Sequence, residues 1–521
     1  MRAAALIVAV GVACPASADW PTDPSANLPI AVGSADQVVV KLAAAPDGST
    51  YIGWFDNRGG AYAVYLQRLD PSGTPAWSAT GLLVSGHPQN SSLVDWDLIA
   101  DSAGSAVLAF TDVRDGGDLD VFAYRVSPAG QPQWGPDGVQ ISANANFDAD
   151  PRLARNTDGD VVVVYPRLGT PDPGLMMQIV SPAGVKRFAG DGVRVGGDGV
   201  EAPAFNEVVP ADNGSVIVSF VRDTRTFPSP RHVRAQKVSS AGALLWNAGA
   251  PVIVSTTSVP IAHRPRLAAD GAGGAILAWH DTRTGIFQVW TQRLDAGGGA
   301  LWTAGGHAAS TDVSVQQLDP ALAYRAASQE AFVFWNTRNG GQSQWGQGAQ
   351  KIAGGGGRAW TDPGISLAPL STTNRSFERA VPLDDGVVLL WLQTPQGSNQ
   401  DQLLARRLDA SGADVWSPAV RVVSSRASDK FRLAVGVGPD SVIRVAWEEG
   451  GDVYAQNLNP DGSIGPRCRG DWNGDGTIDF NDFLDFLNDF NAGAPRADLN
   501  ADGVVDFNDL LEFLNLYNTP C

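Results

Sequence analysis

The sequence predicts a mainly β fold: an eight-bladed β-propeller whose N-terminal strand closes the last blade, followed by a small α-helical C-terminal domain. Three observations predict it. One motif recurs eight times at nearly constant spacing. The stretches between recurrences are short apolar runs broken by turn residues. Only the last fifty or so residues combine helical periodicity with dense acidic charge.

The motif is clearest as LQRLDPSGTPAW (66–77), AYRVSPAGQPQW (123–134), AQKVSSAGALLW (235–246), TQRLDAGGGALW (291–302) and ARRLDASGADVW (405–416), each with a glycine four residues before the tryptophan. Anchoring on that glycine gives Gly73, Gly130, Gly184, Gly242, Gly298, Gly356, Gly412 and Gly462, spaced 57, 54, 58, 56, 58, 56 and 50 residues apart. Between anchors the text divides four ways. In residues 264–302 a first apolar run (264–268) precedes a glycine turn. The run 275–279, the turn 280–284, the run 287–294, a second glycine turn and Trp302 follow. Four short strands per unit of about 56 residues is one propeller blade.

The eighth unit has no fourth strand, because the position four after Gly462 is Pro466 and the chain then turns acidic. The missing strand lies at the other end, where residues 20–32 resemble the fourth strand of the other units without three strands before them. The propeller is therefore expected to span residues 19–466 and to close by an N-terminal strand, which removes an exposed sheet edge. The blades, with their WFDNRGG and WHDTRTG turns, resemble repeats of large secreted bacterial proteins. That resemblance implies architecture only.

Residues 1–18 read as a signal peptide: a basic Arg2, an apolar run 3–13, and the small-x-small site Ala16-Ser17-Ala18. Cys14 offers a lipoprotein alternative. Export to the medium or the cell surface is expected, and no later stretch is long and apolar enough to span a membrane. The mature chain keeps Cys468 and Cys521, which bracket the acidic segment and are expected to form a disulfide there. The net charge is −18, of which residues 468–521 carry −9 (two Arg against eleven Asp or Glu). Such a balance needs cations and argues against a nucleic-acid partner.

Candidate chemistry in the propeller is sparse. Asp-x-Arg or a variant follows the second strand in five blades: Asp56 and Arg58, Asp112 and Arg114, Asp223 and Arg225, Asp281 and Arg283, Asn336 and Arg338. Glu448 and Glu449 hold that place in the last blade. A pair repeated blade after blade is expected to be structural, the carboxylate holding turn N–H groups and the arginine forking onto it. The five histidines show no metal-ligand spacing, and no cysteine nucleophile exists between residues 19 and 466. No blade-specific cluster of Asp, Glu and Arg is visible. The functional expectation is a non-enzymatic propeller for binding or scaffolding, with glycan or peptide at a propeller face as the candidate ligand and a paired-carboxylate glycoside hydrolase as the alternative.

The acidic segment carries DWNGDGTIDFND (471–482) and, 27 residues on, DLNADGVVDFND (498–509). Both place oxygen donors at positions one, three, five, nine and twelve and glycine at six, with a carbonyl available at seven, which suits a hard cation wanting six to eight oxygens. Two Ca²⁺ are expected. One is assigned to Asp471, Asn473, Asp475, Thr477, Asp479 and Asp482, the other to Asp498, Asn500, Asp502, Val504, Asp506 and Asp509. A helix is expected to leave each loop, with Phe480, Phe483, Leu484, Leu487 and Phe490 matched by Phe507, Leu510, Leu511, Leu514 and Tyr517 on facing stripes.

With Asp at position twelve and no entering helix, the doubled loop departs from an ordinary EF-hand and resembles dockerin modules. The flanking cysteines resemble the Gly-Cys-type ending of planctomycete-like secreted proteins. The resemblance covers residues 467–521 and implies an anchoring or interaction module for a cohesin-like or other cell-surface protein. Loop positions ten and eleven, Phe480-Asn481 and Phe507-Asn508, differ from the small polar residues common in cellulosomal dockerins.

Overall fold

The computed structural model describes residues 19–89, 94–114, 117–168, 172–197, 199, 202–223, 230–260, 263–383, 385–466, 469–473, 477–499 and 504–518. Residues 1–18, Cys468, Asp475, Asn500, Asp502, Cys521 and Arg225 lie outside them. The described strands form eight four-stranded antiparallel sheets, each consecutive in sequence except the last. That sheet joins Lys430–Val437, Ile443–Glu449 and Asp452–Leu458 to Leu28–Ala31, with Leu28 opposite Ala455 and Ala31 opposite Val453. The split blade is thus present, and the ring of eight is closed by the N-terminal strand.

The glycine–tryptophan repeat is an interlock between neighbouring blades. Each anchor glycine has φ between 78° and 96°, a turn conformation that costs a side-chain-bearing residue energy. Each also receives the aromatic ring of the preceding blade. A Cβ at Gly73 would lie 2.9 Å from Trp20, one at Gly298 2.7 Å from Trp246, and one at Gly462 2.8 Å from Trp416. Where the aromatic is Phe188, its partner Gly242 keeps the arrangement at 3.1 Å. The indole N–H then donates to a carbonyl of the same turn: Trp20 to Pro71, Trp134 to Pro182, Trp246 to Ala296, Trp302 to Gly354 and Trp416 to Pro460, at 2.8–3.1 Å. Because Trp20 enters blade 1 and Trp416 enters blade 8, the interlock runs around the whole ring.

A second repeated device was not anticipated. A buried glutamine on the third strand accepts the backbone N–H of the aromatic ten residues on and donates to the carbonyl beyond it. Gln292 holds Trp302 N at 3.1 Å and Thr303 O at 2.8 Å, and Gln350 holds Trp360 N and Thr361 O. In blade 8 the equivalent Gln456 donates to Pro21 O at 2.7 Å and so ties down the N-terminal strand. The amide satisfies backbone groups that the irregular fourth strand leaves unpaired.

The C-terminal domain contains two helices, α1 (Phe480–Ala492) and α2 (Phe507–Tyr517). Each starts with a reciprocal capping box, Asp479 with Asp482 and Asp506 with Asp509. The helices pack through Phe486 and Phe513, stacked at 4.1 Å between centroids with Trp472 edge-on to both. The expected stripe is corrected on this point: Phe480, Leu484, Phe507 and Leu511 are exposed, and the helix faces meet one position round, at Phe483, Phe486, Leu487 and Phe490 against Leu510, Phe513 and Tyr517. Among the described residues no helix is long and apolar enough to cross a membrane.

Candidate functional site

The Asp-x-Arg turns close the second and third strands and are structural in geometry. Asp281 is fully buried. Its carboxylate accepts Trp279 Nε1 at 2.9 Å and Arg283 N at 3.1 Å, and Arg283 forks onto it while its guanidinium lies 3.9 Å over the Trp290 ring. Asp56 with Arg58 over Tyr65, and Asp112 with Arg114 over Phe122, repeat the arrangement. In blade 8 Glu449 takes the carboxylate role, accepting Trp447 Nε1 at 2.8 Å, and Arg426 takes the guanidinium role over Tyr454. Arg225 lies outside the described residues.

The polar cluster that the sequence did not reveal lies on the channel. The inner strands of blades 1, 4, 6, 7 and 8 each carry one extra residue in left-handed conformation: Val39, Phe205, Asp319, Phe377 and Arg432. A bulge of this kind re-aims the residues beside it. The register position two residues after the bulge, taken round the eight inner strands, reads Lys41, Asp97, Arg152, Glu207, Arg266, Ala321, Arg379 and Ala434, at intervals of 55–59 residues.

Charges at and just before that position bind the blades together. Asp95 of blade 2 pairs with Lys41 at 2.7 Å and Arg152 at 2.5 Å, and with Arg264 of blade 5 at 3.7 Å, an ion pair between blades three places apart. Arg264 also meets Glu207 at 3.4 Å. Burial alone would raise the Asp95 carboxyl, but Lys41, Arg152 and Arg264 together hold it well below the usual range. Asp97 differs: burial pushes its carboxyl up, and Arg152 and Lys41 only partly offset that.

A cavity of about 390 Å³ opens beside this cluster, lined by inner strands of blades 7, 8, 1 and 2. Its charged walls are Lys41, Asp95, Asp97, Arg379 and Arg432, and Phe377 and Ala434 also line it. Arg379 donates to Leu433 O at 3.1 Å and Glu378 O at 2.9 Å and has no carboxylate within ion-pair distance among the described residues. Burial and the nearby Arg266 lower its guanidinium to about 10.

Three residues without any sequence spacing also converge: His263, His280 and Asp319, whose ligating atoms lie within 4.8 Å of one another. Asp319 accepts from His263 Nδ1, and Asp319 N donates to His280 Nδ1 at 3.2 Å. That second bond puts the neutral His280 proton on Nε2, which is buried without a hydrogen-bond partner among the described residues and, carrying that proton, has no lone pair for a metal. Burial lowers His280 to about 4, so the ring stays neutral at physiological pH.

The described residues of the acidic loops are arranged in one common way. Asp482 is fully buried, accepts Asn473 N at 2.9 Å and Asp479 N at 2.8 Å, and has no basic side chain within ion-pair distance among the described residues. Asp509 is equally buried and accepts Leu499 N at 2.7 Å and Asp506 N at 2.8 Å. Asp471 is buried as well. The buried Asp482 carboxylate, with no basic side chain within ion-pair distance among the described residues, sits on a loop rich in further carboxylate, amide and carbonyl oxygens, a donor set that suits a hard divalent ion. Asp475, Asn500 and Asp502 lie outside the described residues, as do Cys468 and Cys521.

No protein-family model matches the chain, and no curated protein matches it. Solved structures similar to it include a protein of unknown function from Dyadobacter fermentans, at 10% identity over 83% of this chain and 96% of that one, with a TM-score of 0.35. The polysaccharide lyase Uly1 is similar at 8% identity, over 79% and 88%, with a TM-score of 0.41. A GH93 α-L-arabinofuranosidase of Fusarium graminearum is similar at 10% identity, over 61% and 96%, with a TM-score of 0.35.

Proposed function

We propose that this chain is an exported binding protein: a propeller that holds a ligand at its channel, carried on a two-Ca²⁺ C-terminal module that docks a cohesin-like or other cell-surface protein. The observation that carries the reading is the symmetry of the module. Asp482 and Asp509 are buried at one register position, while Phe480 and Phe507, at another, stand 63% and 65% exposed beside the exposed Leu484 and Leu511. Apolar side chains presented in duplicate on a small, strongly charged module are what a protein partner would bury. The ions would be held by Asp471, Asn473, Thr477, Asp479 and Asp482 and by Asp498, Val504, Asp506 and Asp509, with Asp475, Asn500 and Asp502 completing the two loops. Bound Ca²⁺ would supply the charge neutralisation that a segment of net charge −9 requires.

Calorimetric titration of the calcium-stripped full chain tests this. Two ions per chain are expected, falling to one in Asp471→Ala/Asp482→Ala. A chain that takes up no calcium overturns the reading of the module.

A glycoside hydrolase is the second reading, and Asp97 favours it: a carboxyl raised by burial, on the same channel position that Glu207 holds two blades on, has the character a general acid needs. Release of reducing sugar that disappears in Asp97→Asn would establish it.

A further inference from the structure

We propose that the cavity at Ala434 receives the carboxylate-bearing ring of a uronic-acid sugar, with Arg379 as the carboxylate-binding residue. The proposal rests on the reading of the propeller as a binder and names the ligand class of the channel site.

A small residue stands on the cavity wall where its neighbours are long and charged. At the channel position Arg379 of blade 7 and Lys41 of blade 1 flank Ala434 of blade 8, and the cavity they line has a volume of about 390 Å³. That volume is in the range of sites for small polar ligands.

The charges decide what enters. Three cations (Lys41, Arg379, Arg432) and two carboxylates (Asp95, Asp97) face the cavity, a wall charge of 3 − 2 = +1. Lys41 is already matched by Asp95 at 2.7 Å and Arg432 by Glu448 at 3.4 Å. Arg379 alone among the three has only carbonyl partners, and those engage Nε and Nη1, leaving Nη2. A planar guanidinium with unspent donors takes a carboxylate best.

With Lys41 matched by Asp95 and Arg432 by Glu448, Arg379 is the cation left for one carboxylate, whereas a sulfate or phosphate dianion would bring a second negative charge beside Asp95 and Asp97. The same carboxylates can accept hydroxyl protons. Asp97 receives one backbone N–H on each oxygen, from Leu98 and Leu153, which leaves lone pairs on both. Phe377, edge-on to the half-exposed Phe431, adds an apolar wall for the C–H face of a ring. One carboxylate, several hydroxyls and an apolar face together describe a hexuronate. A neutral sugar would leave Arg379 unmatched.

The test is titration calorimetry of the full chain with oligosaccharides containing glucuronate, galacturonate or mannuronate, their carboxyl-reduced counterparts, and inorganic sulfate. Binding of at least one uronate is expected, weakened on the order of tenfold or more by carboxyl reduction and by Arg379→Gln. Ala434→Leu, which narrows the cavity beside Arg379 without changing charge, should weaken binding on the order of tenfold or more while leaving the melting midpoint in place. That variant also decides the matter if Arg379→Gln does not fold. The proposal is overturned if no uronate binds, if the reduced sugar or sulfate binds as well, or if a folded Ala434→Leu binds as the parent does. A negative result from a chain that still takes up two Ca²⁺ removes the ligand class and leaves the module's reading intact.

Discussion

Asp120 shows how the fold acts on a single residue. It sits 3% exposed at the start of the third strand of blade 2, and among the described residues it accepts from Ser142 Oγ and the Asn144 N–H, at 3.2 and 3.4 Å. Burial, reinforced by Asp118 and Asp148, raises its carboxyl to about 6. An acid raised on folding stabilises the native state while protonated, and that contribution is lost as pH rises from about 4 through 6. Asp120→Asn is therefore expected to be more stable than the parent at pH 8, on the order of 1–3 kcal/mol, with the gap closing at pH 4. Parallel denaturation curves at the two pH values check this, and equal stability of both proteins throughout would count against it. At this scale the acidic loops stand out because each packs its oxygen-bearing residues into twelve consecutive positions. The channel charges do not, because each is one residue in a run of more than fifty and acquires its neighbours only when the ring closes. Aligning the inner strands, rather than the glycine turns, would have brought Lys41, Asp97, Arg152, Glu207, Arg266 and Arg379 into one column.

At the scale of the element, the recurring glycine and tryptophan were readable as a period but not as a contact, since the two partners belong to different blades. The Gly298 that precedes Trp302 by four residues in sequence meets Trp246 in space. Trp246 is 1% exposed and donates to Ala296 O, so it joins blades 4 and 5 by packing and by a hydrogen bond. Trp246→Ala is expected to destabilise the propeller by about 3–5 kcal/mol, the range for deleting a large buried aromatic. Gly298→Val should act similarly from the other side, through overlap with the same ring and a forced positive φ. If either variant melts with the parent, the interlock carries no weight. The helix stripe held in part, for a related reason: Phe483, Leu487, Phe490, Leu510 and Tyr517 pack as expected, but the aromatic stack of Phe486, Phe513 and Trp472 takes the centre and leaves Phe480, Leu484, Phe507 and Leu511 outside. Periodicity gave the helices; which of several apolar residues is covered depended on the partner.

At the scale of the whole molecule, closure depends on a strand that comes from the opposite end of the chain. Residues 20–31 place Trp20 against Gly73 and give Pro21 O to Gln456. Asn27 Nδ2 donates to Val423 O at 3.0 Å, and Leu28–Ala31 pairs with Asp452–Leu458. The segment therefore touches blades 1, 7 and 8 at once, and no other strand is tethered so far from its neighbours in sequence. Removing residues 19–34 should leave Asp452–Leu458 as an open edge with a row of unpaired backbone groups, and should empty the aromatic seat on Gly73. The truncated chain is expected to self-associate and to melt at lower temperature. The calcium-dependent helicity proposed for the C-terminal module should persist, since α1 and α2 pack on their own core around Trp472, Phe486 and Phe513. Light scattering, thermal melts and circular dichroism with and without chelator separate the two halves of this expectation. A truncated protein that stays monomeric and melts as the parent does would mean that the ring holds without its last strand.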